Sequence, residues 1–295
     1  MNTTNEREKE LEICKKQISQ LKNDHEELAK TLFKVNEKLH DSERLKGHFI
    51  SNITNEIVNP FSSVLALAQN IKQLKEGDII QAHRMADLIF MEAFQLDFQL
   101  KNIFAAAMIE AGKEDIKHTT FIPDELGEQL GQYFEALLHK KNIRLMIHCI
   151  NTLNPDAPIL FISDKDKIDL ILKNLISNSI KFSPNNSTVE LEIVHADGQL
   201  TMEVSDHGKG INANDRKIIF DRFKQLDEKI NSINTGHGLG LSIVQSYAEM
   251  LGGKVTLNDN IDGGLRLMVS IPQGNETDGW DDLEDFILDS EASFK

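Results

Sequence analysis

The sequence predicts one long helix, or two nearly continuous ones, in the N-terminal part of the chain. Neither proline nor glycine occurs in residues 6–46, so nothing in this stretch breaks a helix. Apolar residues recur there at alternating steps of three and four, which is a heptad seam. They are Leu11, Cys14, Ile18, Leu21, Leu28, Leu32, Val35 and Leu39, with the polar His25 at the seam position between Leu21 and Leu28. The charged positions between them would also suit a single solvated helix, but a seam kept over four heptads favours a coiled coil across residues 1–45.

A second long helix is predicted after a kink and a turn. The seam continues to Pro60, where the missing N–H predicts a kink. A turn at residues 76–78 leads to a helix over residues 79–111, which we expect to end before Gly112. Because two such helices cannot bury their apolar stripes alone, residues 46–111 are predicted to form a helical hairpin. The hairpin would pair with a second copy as a four-helix bundle.

The pattern changes after Gly112 to short β-like stretches interspersed with helical ones. The β-like stretches are residues 143–150, 189–195, 200–205, 254–258 and 265–271, and the helical ones are residues 124–141, 164–182 and 239–251. An Asn/Asp/Gly cluster at residues 258–264 predicts a hairpin loop. The predicted fold class is therefore α+β, in which a helical N-terminal part precedes an α/β sandwich over residues 112–272.

Charge and composition exclude several classes of protein. The formal net charge of −15 argues against a nucleic-acid binder, which would carry a basic face. No apolar run approaches the ~20 residues of a membrane helix, and the start of the chain lacks the apolar core of a signal peptide. Two cysteines cannot build a disulfide framework. We therefore expect a cytoplasmic protein.

The last segment, residues 273–295, is acidic. Eight acidic residues face the single Lys295 there, which predicts a solvated, disordered tail. The alternative is a short amphipathic helix that docks on this chain or on a partner, since Trp280, Leu283 and Ile287 fall at helical spacing.

Four short motifs follow one another between Asn174 and Gly240. They read NLISNSIKFS, DHGKGI, FDRFKQ and GHGLGLSIV. In the first motif, the spacing of Asn174, Asn178 and Lys181 places them on one helix face. Two amides and an ammonium there suit a hydrated Mg²⁺ and phosphate oxygens. Each motif alone is a weak signal, and their order is the informative feature.

The glycine-containing motifs fit the remaining parts of a nucleotide. Asp206 follows a strand, so its carboxylate can accept from the exocyclic amine of a base. The neighbouring Gly208 and Gly210 let the backbone approach the ring. Backbone amides at a glycine-rich helix start form an anion site. The residues of that start are Gly236, Gly238, Leu239, Gly240 and Leu241. The spacing lacks the GK[ST] of a P-loop and does not directly follow a strand, so neither a P-loop nor a Rossmann site fits.

In content and order, the motifs resemble the N box, first glycine box, F box and second glycine box of sensor histidine kinases. Their ATP-binding domain shares its fold with Hsp90, gyrase B and MutL. The resemblance implies that Asn178 binds Mg²⁺, that Asp206 contacts adenine, and that residues 236–241 close the ATP lid on the phosphates. It makes residues 220–234 the mobile lid and adds Arg222 to the nucleotide contacts.

Two positions depart from the pattern of that family near the nucleotide. His237 stands where Thr or another small residue is common, and Leu265 follows Gly264 where Thr or Ser is usual. One polar contact to the nucleotide is therefore expected to be missing.

The segment FISNITNEIVNPF resembles the H box of the same family, with one substitution at the phosphoacceptor. The matching residues are Phe49, Glu56, Asn59 and Pro60. Asn55 occupies the position of the histidine. An amide nitrogen is not a nucleophile at neutral pH, whereas neutral imidazole is, so we expect no ordinary autophosphorylation at Asn55. His48 is the alternative acceptor, although a solvated surface histidine is the simpler interpretation.

Three functions stay open at this point. The resemblance implies a homodimeric kinase that uses ATP and Mg²⁺ and signals to a response regulator receiver domain. The second function is a non-catalytic ATP-binding scaffold, a pseudokinase that binds a regulator or another kinase. The third is a phosphatase of a phospho-regulator, for which Glu56 and Asn59 are retained. The alternative interpretation is that these two residues only maintain the shape of the helix near Pro60.

Overall fold

A computed structural model describes residues 57–75, 77–152, 159–213, 215–216, 218–221, 238–261 and 263–274. The chain divides into two compact units, Met1–Asn55 and Glu56–Lys295, and all described residues belong to the second unit. The predicted coiled coil of residues 1–45 and the acidic tail beyond Gly274 lie outside the described residues. Both stay predictions, as do the domain boundaries.

Two helices open the described part of the chain. Helix α1 covers residues 57–72 and is helical on both sides of Pro60. It ends at Lys72, because the N–H groups of Gln73 and Leu74 bond to carbonyls three residues back instead of four. Helix α2, Ile79–Ala111, has the predicted bounds. Gly112 ends it in the left-handed conformation, with φ 62°, as expected for a helix C-terminus.

The rest of the chain forms a sandwich of helices and a mixed sheet. Its elements are β1 Thr119–Phe121, α3 Pro123–Lys141, β2 Arg144–Asn151, β3 Phe161–Ser163, α4 Lys165–Phe182, β4 Thr188–Ala196, β5 Gln199–Ser205, α5 Gly240–Met250, β6 Lys254–Asp259 and β7 Leu265–Pro272. The main sheet has the order β2-β4-β5-β7-β6. In this sheet β2 and β4 pair in parallel and the other neighbouring strands are antiparallel, and β6 and β7 form the predicted hairpin.

The predicted α/β sandwich is confirmed, with two additions. Strands β1 and β3 pair with each other outside the main sheet, and neither was predicted from the sequence. Each has three residues, which is too short for an alternating pattern to register.

Helix α4 is the centre of the core. It contacts α3, α5, β4 and β5, and its fully buried apolar residues are Ile168, Ile171, Leu172, Leu175 and Ile176. Strand β4 presents Val189, Leu191 and Ile193 to the interior. Burial of each large aliphatic side chain contributes roughly 1.5–3 kcal/mol. The helix that carries the N-box amides is therefore held rigidly.

Within the described residues, none of the helices combines the length and apolarity that a membrane span requires.

Candidate functional site

Asp206 has a buried carboxylate, in which one oxygen accepts two hydrogen bonds and the other accepts a single long one. It directly follows β5 and is 5% exposed. Its Oδ1 accepts from the N–H groups of Gly208, at 2.8 Å, and Leu265, at 3.1 Å. Its Oδ2 receives only a long bond from the Ser179 hydroxyl, at 3.4 Å. Since a carboxylate oxygen has two acceptor sites, Oδ2 retains the capacity to accept from a ligand.

Backbone packing around Asp206 explains two glycines of the sequence. A Cβ at Gly264 would lie 2.1 Å from the Asp206 carbonyl oxygen, and Gly264 has φ +101°. A Cβ at Gly208 would lie 3.0 Å from both Asp206 Oδ1 and the Phe182 carbonyl oxygen. The Asn260 amide donates to the Asp206 carbonyl at 2.9 Å. These contacts hold the carboxylate at a fixed place between β5 and β7.

The two N-box asparagines face the first residue of α5. Asn174 is 3% exposed, and Asn178 is half-buried one turn later. A Cβ at Gly240 would lie 2.7 Å from Asn174 Oδ1 and 3.6 Å from Asn178 Nδ2. Glycine at this position therefore allows α5 to begin directly against both amides. Lys181 lies in the last turn of α4, with its Nζ 5.2 Å from the centroid of the Phe182 ring.

The described part of the second glycine box forms the start of α5. Gly238 adopts φ 66°, Leu239 is buried at the N-cap, and the Ser242 hydroxyl donates to the Leu239 carbonyl at 2.8 Å. The free N–H groups of this first turn carry the positive end of the helix dipole. Leu241 is half-buried on the same turn. An anion bound at this turn would lie close to the two asparagine amides.

Several predicted site residues fall outside the described residues. They are Asn55, Glu56, Arg222 and Gly236, together with His237 and most of the predicted lid. Asn59 is described and is exposed on α1. The predicted roles at these positions stay predictions.

Three residues in or beside the site were not singled out in the sequence. Ser179 contacts Asp206 Oδ2, Asn260 contacts the Asp206 carbonyl, and Asn102 contacts Asn174 at 2.7 Å. A signal existed for Asn102, because it is a polar residue within the apolar surface of α2. No such signal existed for Ser179 or Asn260. A serine that follows an asparagine in a helix is common, and so is an asparagine in a hairpin loop.

A buried ionic cluster anchors the start of α4. Lys167 Nζ lies 2.9 Å from Asp164 Oδ2 and 3.1 Å from Glu114 Oε2, and it donates to the Asp115 carbonyl at 2.6 Å. The Tyr247 hydroxyl on α5 donates to the Glu114 carboxylate at 3.0 Å. The cluster joins the segment after α2 to the two helices that carry the site.

Ionisation within this cluster follows from its contacts. Burial alone would raise the pKa of Asp164, but the N–H of Lys117 and the ammonium of Lys167 outweigh it and hold that pKa below its usual value. Burial alone would lower the pKa of Lys167, but Asp164 and Glu114 raise it above the usual value. Burial, followed by the charge of Glu114, raises the pKa of Tyr247. Asp164 and Lys167 are therefore both charged at neutral pH, whereas the Tyr247 phenol is neutral.

The site fits an adenine nucleotide and a hydrated Mg²⁺. Asp206 Oδ2 can accept from an exocyclic amine, and the start of α5 offers N–H groups to phosphates. Mg²⁺ keeps several waters and needs few protein ligands, so Asn178 is the residue that would hold it beside phosphate oxygens. No group of three His, Cys, Asp or Glu that could hold a metal occurs among the described residues.

Comparisons with known proteins agree with this geometry. The family described as "Histidine kinase-, DNA gyrase B-, and HSP90-like ATPase" matches residues 163–275. These residues contain α4, Asp206 and the start of α5.

Two curated relatives extend the similarity to the helices before this domain. "Hybrid signal transduction histidine kinase D" of Dictyostelium discoideum is 28% identical over 80% of this chain and 15% of its own length. "Autoinducer 2 sensor kinase/phosphatase LuxQ" of Vibrio cholerae is 29% identical over 79% of this chain and 27% of its own length. The chain thus spans less than a third of each of these relatives.

One solved structure shows the same fold at greater distance in sequence. It is full-length ShkA in complex with AMPPNP, which is 22% identical, with a TM-score of 0.54. The similarity covers 76% of this chain and 45% of the other.

Proposed function

We propose, from the premise that this chain belongs to the sensor histidine kinase family, that it binds ATP with Mg²⁺ and acts in two-component signalling. The observation that carries the proposal is the arrangement around Asp206: a buried carboxylate with a spare acceptor oxygen, near two amides that face a glycine-rich helix start. ATP supplies the phosphoryl group that kinases of this family transfer.

Each part of the site has a separate task in this proposal. Asp206 selects the base through Oδ2, while Gly208 and Gly210 keep the ring's edge close to the backbone. Asn178 provides an oxygen for Mg²⁺, with Asn174 and Lys181 beside it on α4. The N–H groups at Gly238, Leu239, Gly240 and Leu241 hold the phosphates, and Gly236 and Arg222 complete the nucleotide contacts.

Pairing with a second copy is the second part of the proposal. Large apolar side chains on α1 and α2 are exposed in the single chain. They include Val58, Phe61, Leu65, Ile80, Leu88 and Phe104. A four-helix bundle of two hairpins would cover such surfaces, and a coiled coil over residues 1–45 would continue it. We propose that this cytoplasmic homodimer binds the receiver domain of a response regulator.

The side chain at position 55 decides which reaction the protein performs. Asn55 stands where the family's histidine accepts the phosphoryl group, and its amide cannot accept it. Without phosphorylation at position 55, the protein acts either as a non-catalytic ATP-dependent scaffold for a regulator or another kinase, or as a phosphatase of a phospho-regulator. The exposure of the Asn59 amide on α1 favours the phosphatase, because a docked regulator can reach it.

Incubation with γ-labelled ATP tests this proposal. We expect no acid-labile phosphohistidine in the protein with Asn55, and we expect labelling of the Asn55→His variant, in which Glu56 is left in place. Strong labelling of the Asn55 form would point to another acceptor, His48 first. An unlabelled Asn55→His that still binds ATP would favour the scaffold. A phosphorylated receiver domain then separates the two remaining functions, because a phosphatase releases phosphate from it and Asn59→Ala abolishes that release.

A further inference from the structure

Asn102 is a buried polar residue of α2 that contacts the nucleotide site from outside the sandwich. It is 6% exposed and lies beside Ala105 and Ala106, which are also buried. Its Oδ1 accepts from Asn174 Nδ2 at 2.7 Å. This bond joins α2 to the N box, although its two asparagines lie 72 positions apart in sequence. A buried hydrogen bond between side chains at such a junction is costly to break on one side only.

The bond determines which way the Asn174 amide points. A side-chain amide has two N–H donors. One donates to Asn102 Oδ1 and the other to the Leu170 carbonyl at 2.9 Å. With both donors engaged there, Asn174 Oδ1 must point the other way, toward Gly240 at the start of α5.

The opposite orientation of this amide would change the chemistry of the site. The oxygen and nitrogen of an asparagine side chain have nearly the same size, so hydrogen bonds, and not packing, decide between the two orientations. If the acceptor at Asn102 is removed, only the bond to the Leu170 carbonyl still favours the observed orientation of Asn174, so the turned orientation becomes more populated. The group that faces Gly240 and neighbours Asn178 would then be a donor in place of an acceptor.

We propose that Asn102 is a positioning residue of the nucleotide site. It holds the Asn174 amide oxygen toward the start of α5, and it thereby couples the packing of α2 on the sandwich to the affinity for nucleotide. The inference rests on the proposed binding of Mg²⁺ and ATP. Such coupling is reciprocal: a movement of α2 changes the affinity, and bound nucleotide changes the packing of α2.

Calorimetric titration of the full chain with AMPPNP and Mg²⁺ tests the inference. Asn102→Leu removes the acceptor at similar volume, and we expect it to weaken binding about 10-fold. Asn102→Asp keeps the acceptor oxygen, so its affinity should stay within about 2-fold of the parent, although a buried carboxylate lowers its melting temperature. Gln95→Leu, at an exposed position of the same helix, is the matched control and should bind normally.

If Asn102 had a purely structural role, the variants would rank differently in their affinity for nucleotide. Affinity would then be unchanged in Asn102→Leu at temperatures where it is folded, and that result overturns the inference while leaving the proposed function intact. A parent protein that binds no nucleotide overturns both.

A second measurement needs no variant. Saturating AMPPNP should slow amide hydrogen exchange in the last two turns of α2 in the parent protein. Exchange that does not respond to the nucleotide overturns the coupling.

Discussion

Lys167 Nζ lies 3.1 Å from Glu114 Oε2, and this ion pair connects the segment after α2 to the first turn of α4. The same ammonium pairs with Asp164, the N-cap of α4, at 2.9 Å. Tyr247 brings α5 into the cluster through its bond to Glu114. The cluster therefore holds together α4 and α5, the two helices of the candidate nucleotide site. Its residues would not themselves touch a nucleotide.

Lys167→Met is expected to destabilise the sandwich strongly. The substitution leaves two carboxylates without their cation in a buried place, which costs about 3 kcal/mol of unfolding free energy. Lys101→Met is the control, because Lys101 pairs with Asp97 on the surface of α2, and such a pair contributes less than about 1 kcal/mol. Denaturant titration followed by circular dichroism compares the two. Equal losses would mean that the buried cluster contributes no more than a surface pair.

The stability that the cluster provides should depend on pH in a defined way. Asp164 has a lowered pKa, so its contribution is present above its ordinary value of 3.8 and is lost as the pH falls through the lower pKa of the folded state. Lys167 has a raised pKa, so its contribution is present below its ordinary value of 10.5 and is lost only as the pH rises through the higher folded pKa.

The pH prediction is measured as the difference in unfolding free energy between the parent protein and Lys167→Met. We expect this difference to be constant from about pH 6 to about pH 9 and to shrink toward about pH 3. A difference that keeps its full size at about pH 3 would contradict the assignment of the Asp164 pKa.

Gly264→Ala is expected to disturb the nucleotide site through the backbone. The new Cβ would overlap the Asp206 carbonyl oxygen, and the left-handed φ adds about 1–2 kcal/mol of strain. We therefore expect a lower melting temperature and a smaller rise in melting temperature when ATP and Mg²⁺ are added.

Gly198→Ala is the matched control for this substitution. Gly198 also has a left-handed φ, of +69°, but a Cβ there meets nothing within 4 Å. It should lower the melting temperature slightly and leave the shift with ATP unchanged. A parent-like shift in Gly264→Ala would show that Asp206 and β7 do not need to approach so closely.

The elements that the sequence predicted well are those with strong local patterns. The apolar stripe of α2 and Gly112 located that helix, and five alternating stretches located the main sheet. The three-residue strands β1 and β3 carry no such pattern. Tertiary pairing alone defines them.

The residues of the candidate site also divide into those that lie in a local sequence motif and those that do not. Asp206 and the N-box asparagines were predicted as site residues because the motifs that contain them are local patterns that follow one another along the chain. Asn102 and Glu114 were not, because they reach α4 from the far end of α2 and the segment after it. Single-sequence patterns describe neighbours along the chain, whereas these contacts join segments more than about 50 residues apart.

Binding of AMPPNP and Mg²⁺ to the parent protein and to Asp206→Asn tests the account most directly. Asparagine keeps the Oδ1 that accepts from Gly208 and Leu265, but it replaces the spare acceptor by a donor. Asp197→Asn, on the turn between β4 and β5, is the control, because asparagine tolerates its left-handed φ of 50°. Calorimetry should show binding by the parent and the control, and an affinity about 100-fold weaker for Asp206→Asn. Undiminished binding by a folded Asp206→Asn, or no binding by the parent, would contradict the account.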